Sequence, residues 1–94
     1  MFSYNNKNKA GVTLVNNLYI SAFLYSRGLR LIDIYRTDPR RAQFVFQDNG
    51  EFTGEKLIHF YNYSLKNEPE MMVDAREFVT AIKALKDRLY QEGV

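Results

Sequence analysis

The stretch Leu29-Arg30-Leu31-Ile32-Asp33-Ile34-Tyr35-Arg36, then Thr37-Asp38-Pro39-Arg40-Arg41, then Ala42-Gln43-Phe44-Val45-Phe46-Gln47-Asp48 decides the fold class. Its two flanks are rich in β-branched and aromatic residues, which fit a pleated, half-buried surface. Asp38-Pro39 between them is a turn signal, because Pro presets φ and the Asp side chain can bond nearby backbone. The reading is an antiparallel hairpin with strands over 29–36 and 42–48. In the second strand Ala42, Phe44 and Phe46 fall on one face, the alternation of a core strand.

Working outward to the N-terminal side, residues 13–27 favour a helix that Thr13 or Asn17 could cap. Gly28 stands where a helix commonly stops in the left-handed conformation, with Leu24 and Leu29 at the positions whose apolar contact accompanies a Schellman stop. On the C-terminal side, Asp48-Asn49-Gly50 breaks the second strand. A helix follows over 54–66, with Thr53 as cap and Phe52 and Leu57 as its hydrophobic staple. Residues 67–70 read as a linker. The last helix opens on Asp74 as cap, Glu77 as capping-box partner, and Val73 with Phe78 as staple; Phe78, Ile82, Leu85 and Leu89 then mark one helical face. The expected architecture is α+β: a two-stranded antiparallel β-hairpin packed against three helices in the order α-β-β-α-α. Residues 1–11, polar and rich in Asn and Lys, read as a flexible tail, and 12–94 as a single small domain.

Composition bounds the function. A chain of 94 residues, 46% hydrophobic and 26% charged, buries roughly 60–70% of its unfolded surface and sustains one core. It has no Cys, which excludes a disulfide framework, a thiol nucleophile and a Cys-based zinc site, and fits the cytoplasm. The longest nearly apolar run, residues 18–24, is far short of a bilayer span, and the N-terminus lacks the layout of a secretory signal. No membrane association is expected.

Enzymatic chemistry finds no footing. His59 is the sole histidine, and no nucleophile or acid stands in a recognisable triad spacing with it. Glu68, Glu70 and Asp74 do not match a calcium loop, and Gly50 with Gly54 does not make a phosphate-cradling motif. No catalytic residue, metal or cofactor is expected.

Two binding surfaces stand out. Residues 1–48 carry seven basic side chains against three acidic ones, whereas residues 49–94 carry six against eight. Around the hairpin lie Arg27, Arg30, Arg36, Arg40 and Arg41, with Arg30 and Arg36 an even number of residues apart and so expected on one strand face. Arg suits phosphate because its fork donates two parallel hydrogen bonds, and Tyr35, Phe44 and Phe46 nearby suggest the mixture of cations and aromatics that single-strand binders use. The first reading is therefore a small non-enzymatic accessory protein that binds DNA or RNA through this basic hairpin. The alternative is a homodimeric protein-interaction module, an adaptor or an inhibitor of another protein. The first helix is apolar nearly all round and needs covering on more than one side, while a two-stranded hairpin leaves two unpaired edges. Tyr19, Phe23, Phe60, Tyr61 and Tyr63 would supply that interface.

Leu24-x-x-x-Gly28-x-x-Leu31, Phe44-Val45-Phe46, Phe60-Tyr61-Asn62, Asp74-x-Arg76-x-Phe78 and Leu85-Lys86 together resemble a family of small bacterial, phage and mobile-element proteins classed only as a domain of unknown function. The likeness covers about residues 17–90. It implies a compact α+β fold and a setting where small proteins assist replication, regulate, or inhibit host machinery. It implies no catalytic residue, and the Asn/Lys-rich start and the Pro39-Arg40-Arg41 turn lie outside its pattern.

Overall fold

Val12-Thr13-Leu14-Val15 forms a strand, and this changes the sheet. The computed structural model describes residues 11–38, 41–49, 53–65 and 68–92. In chain order these form β1 (Val12–Val15), α1 (Leu18–Ser26), β2 (Arg30–Asp38), β3 (Arg41–Gln47), α2 (Gly54–Tyr63), a 3-10 turn (Pro69–Met71) and α3 (Ala75–Glu92). The helix expected over 13–27 is thus a strand followed by a shorter helix. Three of the four residues of β1 are β-branched, stiff at χ1 and favoured in strands, and their burial alternates residue by residue. β1 pairs antiparallel with β3, Thr13 opposite Phe46 and Val15 opposite Phe44. The fold class is α+β as expected, but the sheet is a three-stranded antiparallel one in the order β1-β3-β2, in place of the expected two-stranded hairpin.

Asn17 caps α1, its side chain accepting the Ile20 N–H at 2.9 Å. At the other end Gly28 takes φ +98°. Its N–H donates to the Tyr25 carbonyl (3.0 Å), and the Leu29 N–H reaches back to Leu24 (3.2 Å). These are the two bonds of a Schellman stop, with Leu24 and Leu29 both buried beneath it. Thr53 caps α2, accepting from Lys56 N–H at 3.2 Å; α2 ends at Tyr63, short of the expected 66, because Ser64 is extended. Phe52, the expected staple partner of Leu57, lies outside the described residues. Asp74 caps α3 through the N–H groups of Arg76 (2.8 Å) and Glu77 (3.0 Å). Part of the expected linker 67–70 is wound into the 3-10 turn.

The helices cover one face of the sheet, with α1 in contact with α2, α3 and β1. Ser21, Ala22, Phe23 and Leu24 are consecutive, so they look out in every direction around the helix axis, and all four are buried. The middle of α1 is therefore covered within one chain, while Tyr19 and Tyr25 stay exposed. The four buried residues join Val15, Leu31, Ile34, Phe44 and Phe46 of the sheet, Leu57 of α2, and Ala81 and Leu85 of α3 in one core, with Ser21 the polar exception among them.

Two local devices set the geometry of the sheet. Leu31 lies opposite Phe46 and Asp33 opposite Val45, so Ile32 is an extra residue, a β-bulge; a second irregularity separates Arg36 from Asp38. At the end of β3, Asp48 ties three elements together. Its Oδ1 accepts the Thr13 hydroxyl (3.0 Å) and the Gly54 N–H (2.7 Å), and its own N–H donates to the Gly11 carbonyl (2.8 Å). A carboxylate at the first N–H of α2 also complements that helix's dipole.

Candidate functional site

Cross-strand partners share a face of the sheet, so the register sorts the paired strand residues. Thr13, Val15, Leu31, Ile34, Arg36, Ala42, Phe44 and Phe46 look toward the helices. Val12, Leu14, Arg30, Asp33, Tyr35, Arg41, Gln43, Val45 and Gln47 fall on the other face, where Asp38 is the register partner of Arg41. Phe44 and Phe46 belong to the core between sheet and helices, and Val45 between them, on the other face, is 0% exposed as well, so the middle of that face is also covered.

This separates the arginines grouped by the sequence. Arg30 and Arg36 do not share a face: the Ile32 bulge shifts the alternation, leaving Arg30 opposite Gln47 on the outer face and Arg36 opposite Ala42 on the helix side. Arg36 Nη1 donates to the Leu89 carbonyl of α3 at 3.4 Å. Arg27 closes α1 and its Nη1 donates to the Met72 carbonyl at 3.3 Å. Both guanidiniums thus bridge helix ends to neighbouring elements. Arg30 and Arg41 are exposed on the outer face, Arg41 having a further interaction within the protein. Arg40 lies outside the described residues.

Phe44 and Phe46 are sealed in the core, which removes them as stacking platforms. Tyr35 is 46% exposed on the outer face opposite Gln43. Along that face run Arg30 beside Gln47, Tyr35 beside Gln43, and Arg41 at the start of β3. Arg41 and Gln47 are six residues apart on β3, so the two arginines stand about 20 Å apart at ~3.4 Å per residue. Asp33, half-buried between Arg30 and Tyr35, has its Oδ1 engaged by the Ile34 N–H at 2.8 Å. The sequence did not single out Gln43 and Gln47; their even spacing from Arg41 was the available signal.

The five aromatic residues assigned to a protein interface divide in the same way. Phe23 is 1% exposed, a core side chain that can offer no contact surface. Phe60 and Tyr61 are partly buried against the core, Tyr61 with its ring 5.7 Å from that of Phe23 and Phe60 beneath the Lys56 ammonium at 5.9 Å. Tyr19 and Tyr63 are exposed. His59 is exposed too and lies against Tyr63, ring centroids 4.9 Å apart. Among the described residues no cluster of three or more metal-ligating side chains occurs, and no helix is long and apolar enough to cross a membrane.

The family profile of a domain of unknown function, DUF5659, matches residues 12–91, so the chain belongs to that family. No curated protein and no solved structure matches it.

Proposed function

We propose that this member of the DUF5659 family is a small non-enzymatic accessory protein that binds nucleic acid with the outer face of its sheet. One observation carries the reading: Arg30, Tyr35, Gln43, Gln47 and Arg41 share the face of the sheet turned away from the helices, around a Val45 that is itself covered. Arginine forks recognise phosphate, the two amides can donate to or accept from sugar and base edges, and an exposed ring offers a stacking surface. Arg40, next to Arg41 in the sequence, adds a further positive charge. Arg36 donates to a carbonyl of α3 and Arg27 to the Met72 carbonyl, so the phosphate contacts are assigned first to Arg30 and Arg41. Such contacts position the protein without reading sequence. A cytoplasmic role among bacterial, phage or mobile-element genes suits a protein of this size.

The test is fluorescence anisotropy with labelled oligonucleotides across a salt series. With Arg30, Arg40 and Arg41 on phosphates, log K falls linearly against log salt with a slope of about −2. Absence of binding at low salt, or binding indifferent to salt, overturns the reading. A salt-indifferent dimer would transfer attention to Tyr19 and Tyr63.

A further inference from the structure

Arg76, Val79, Lys83, Lys86 and Tyr90 of α3 follow one another at spacings of three, four, three and four, which sets them in a row along one flank of the helix. All of them are exposed, Val79 at 48% and Tyr90 at 67%. On the other side of the helix Ala81 and Leu85 are buried, and Phe78, Ile82 and Leu89 pack against the core. Opposing charge is sparse along the row. Asp87, four residues after Lys83, borders it, while Glu77 lies farther round the helix and Asp74 is committed to the N-cap. The helix packed beside it, α1, has no charged residue over Leu18–Ser26. We propose that this flank is a contact surface for the phosphate backbone of double-stranded DNA, separate from the outer face of the sheet and independent of the reading given to that face.

Spacing and composition choose the partner. The charged groups on the row are all cations, so a second copy of the chain laid on it would set like against like. Arg76 and Lys83 stand about 10 Å apart along the axis at ~1.5 Å per residue, close to the ~12 Å width of the major groove of B-DNA. A helix laid across that groove brings Arg76 to the phosphates of one rim and Lys83 with Lys86 to those of the other. Val79 then lies over the gap, where no phosphate stands. Tyr90, about 21 Å along the axis from Arg76, carries a hydroxyl able to donate to a further phosphate. Single-strand binders interleave aromatic rings with their cations, whereas the residue between these cations is Val79.

The test is fluorescence anisotropy of the full chain with a labelled DNA duplex across a salt series. It compares the wild type with Lys83→Ala/Lys86→Ala and Arg30→Ala/Arg41→Ala, which remove equal charge, and circular dichroism verifies that each variant is folded. The wild type is expected to bind the duplex with log K falling against log salt at a slope of about −2.7, the value for three phosphates neutralised. Lys83→Ala/Lys86→Ala should bind at least about tenfold more weakly, with a slope of about −0.9. Arg30→Ala/Arg41→Ala should stay within about twofold of the wild type. No duplex binding at low salt, or an equal loss in both variants, overturns the proposal. Displacement of the duplex by poly-glutamate at equal charge concentration also overturns it, because the flank would then belong to an acidic protein. A single-stranded oligonucleotide on the same samples reports on the sheet face: a loss there confined to Arg30→Ala/Arg41→Ala upholds that reading whatever the duplex shows.

Discussion

Leu31 and Ile34, three residues apart on β2, both turn toward the helices. Strict alternation forbids this, and the bulge at Ile32 permits it. The same bulge leaves Arg30 on the outer face and sends Arg36 to the helix side, where it meets the C-terminal turns of α3. One inserted residue thus decides which arginines are available to a ligand.

Gly54 is held against β1. A Cβ at this position would stand 2.5 Å from both Cβ and Oγ1 of Thr13 and 2.7 Å from its Cγ2. Thr13 is itself buried and bonded to Asp48, so it has little room to move. Gly54→Ala is expected to lose about 1–3 kcal/mol by overpacking, read as a lower urea midpoint at an unchanged slope.

Asp48→Ala strips the acceptor shared by the Thr13 hydroxyl and the Gly54 N–H. Hydrogen bonds to a charged group contribute about 1.5–3 kcal/mol, and the variant should lose at least that much in equilibrium unfolding. Asp48→Asn keeps an acceptor oxygen and gives up the charge at the start of α2. It should retain more than half of the stability that Asp48→Ala loses.

Ser21 is fully buried in the middle of α1, and its Oγ finds no hydrogen-bond partner among the described residues. Ser21→Ala removes an unpaired polar atom and improves helix propensity. Thermal unfolding should show a gain of about 0.5–1 kcal/mol, a rise in Tm of a few degrees for a domain of this size. A loss would mean that the hydroxyl has a partner in solution.

The helix boundaries that rest on local chemistry were legible. Gly28 with Leu24 and Leu29, Thr53 before α2 and Asp74 before α3 each announce a cap whose bonds involve only residues close in sequence. β1 was not legible, because Val12-Thr13-Leu14-Val15 runs almost directly into the apolar α1 and only its partner β3, thirty residues away, makes it a strand. The face of each arginine was hidden for a related reason. Counting by twos places Arg30 with Arg36, and nothing local to Leu31-Ile32-Asp33-Ile34 says which residue is the extra one; the demand of the core for both Leu31 and Ile34 settles it. The exposed Tyr35 and the amides of Gln43 and Gln47 became a group only once register joined the two strands.

The most direct test of the account compares the Arg30→Ala/Arg41→Ala double variant with Arg36→Ala, measuring single-stranded oligonucleotide affinity at low salt and Tm on the same samples. The account predicts at least a tenfold loss of affinity for the double variant with the circular dichroism of a folded protein, and wild-type affinity with a lowered Tm for Arg36→Ala. Wild-type affinity in the double variant, or an equal loss of binding from Arg36→Ala, would contradict it.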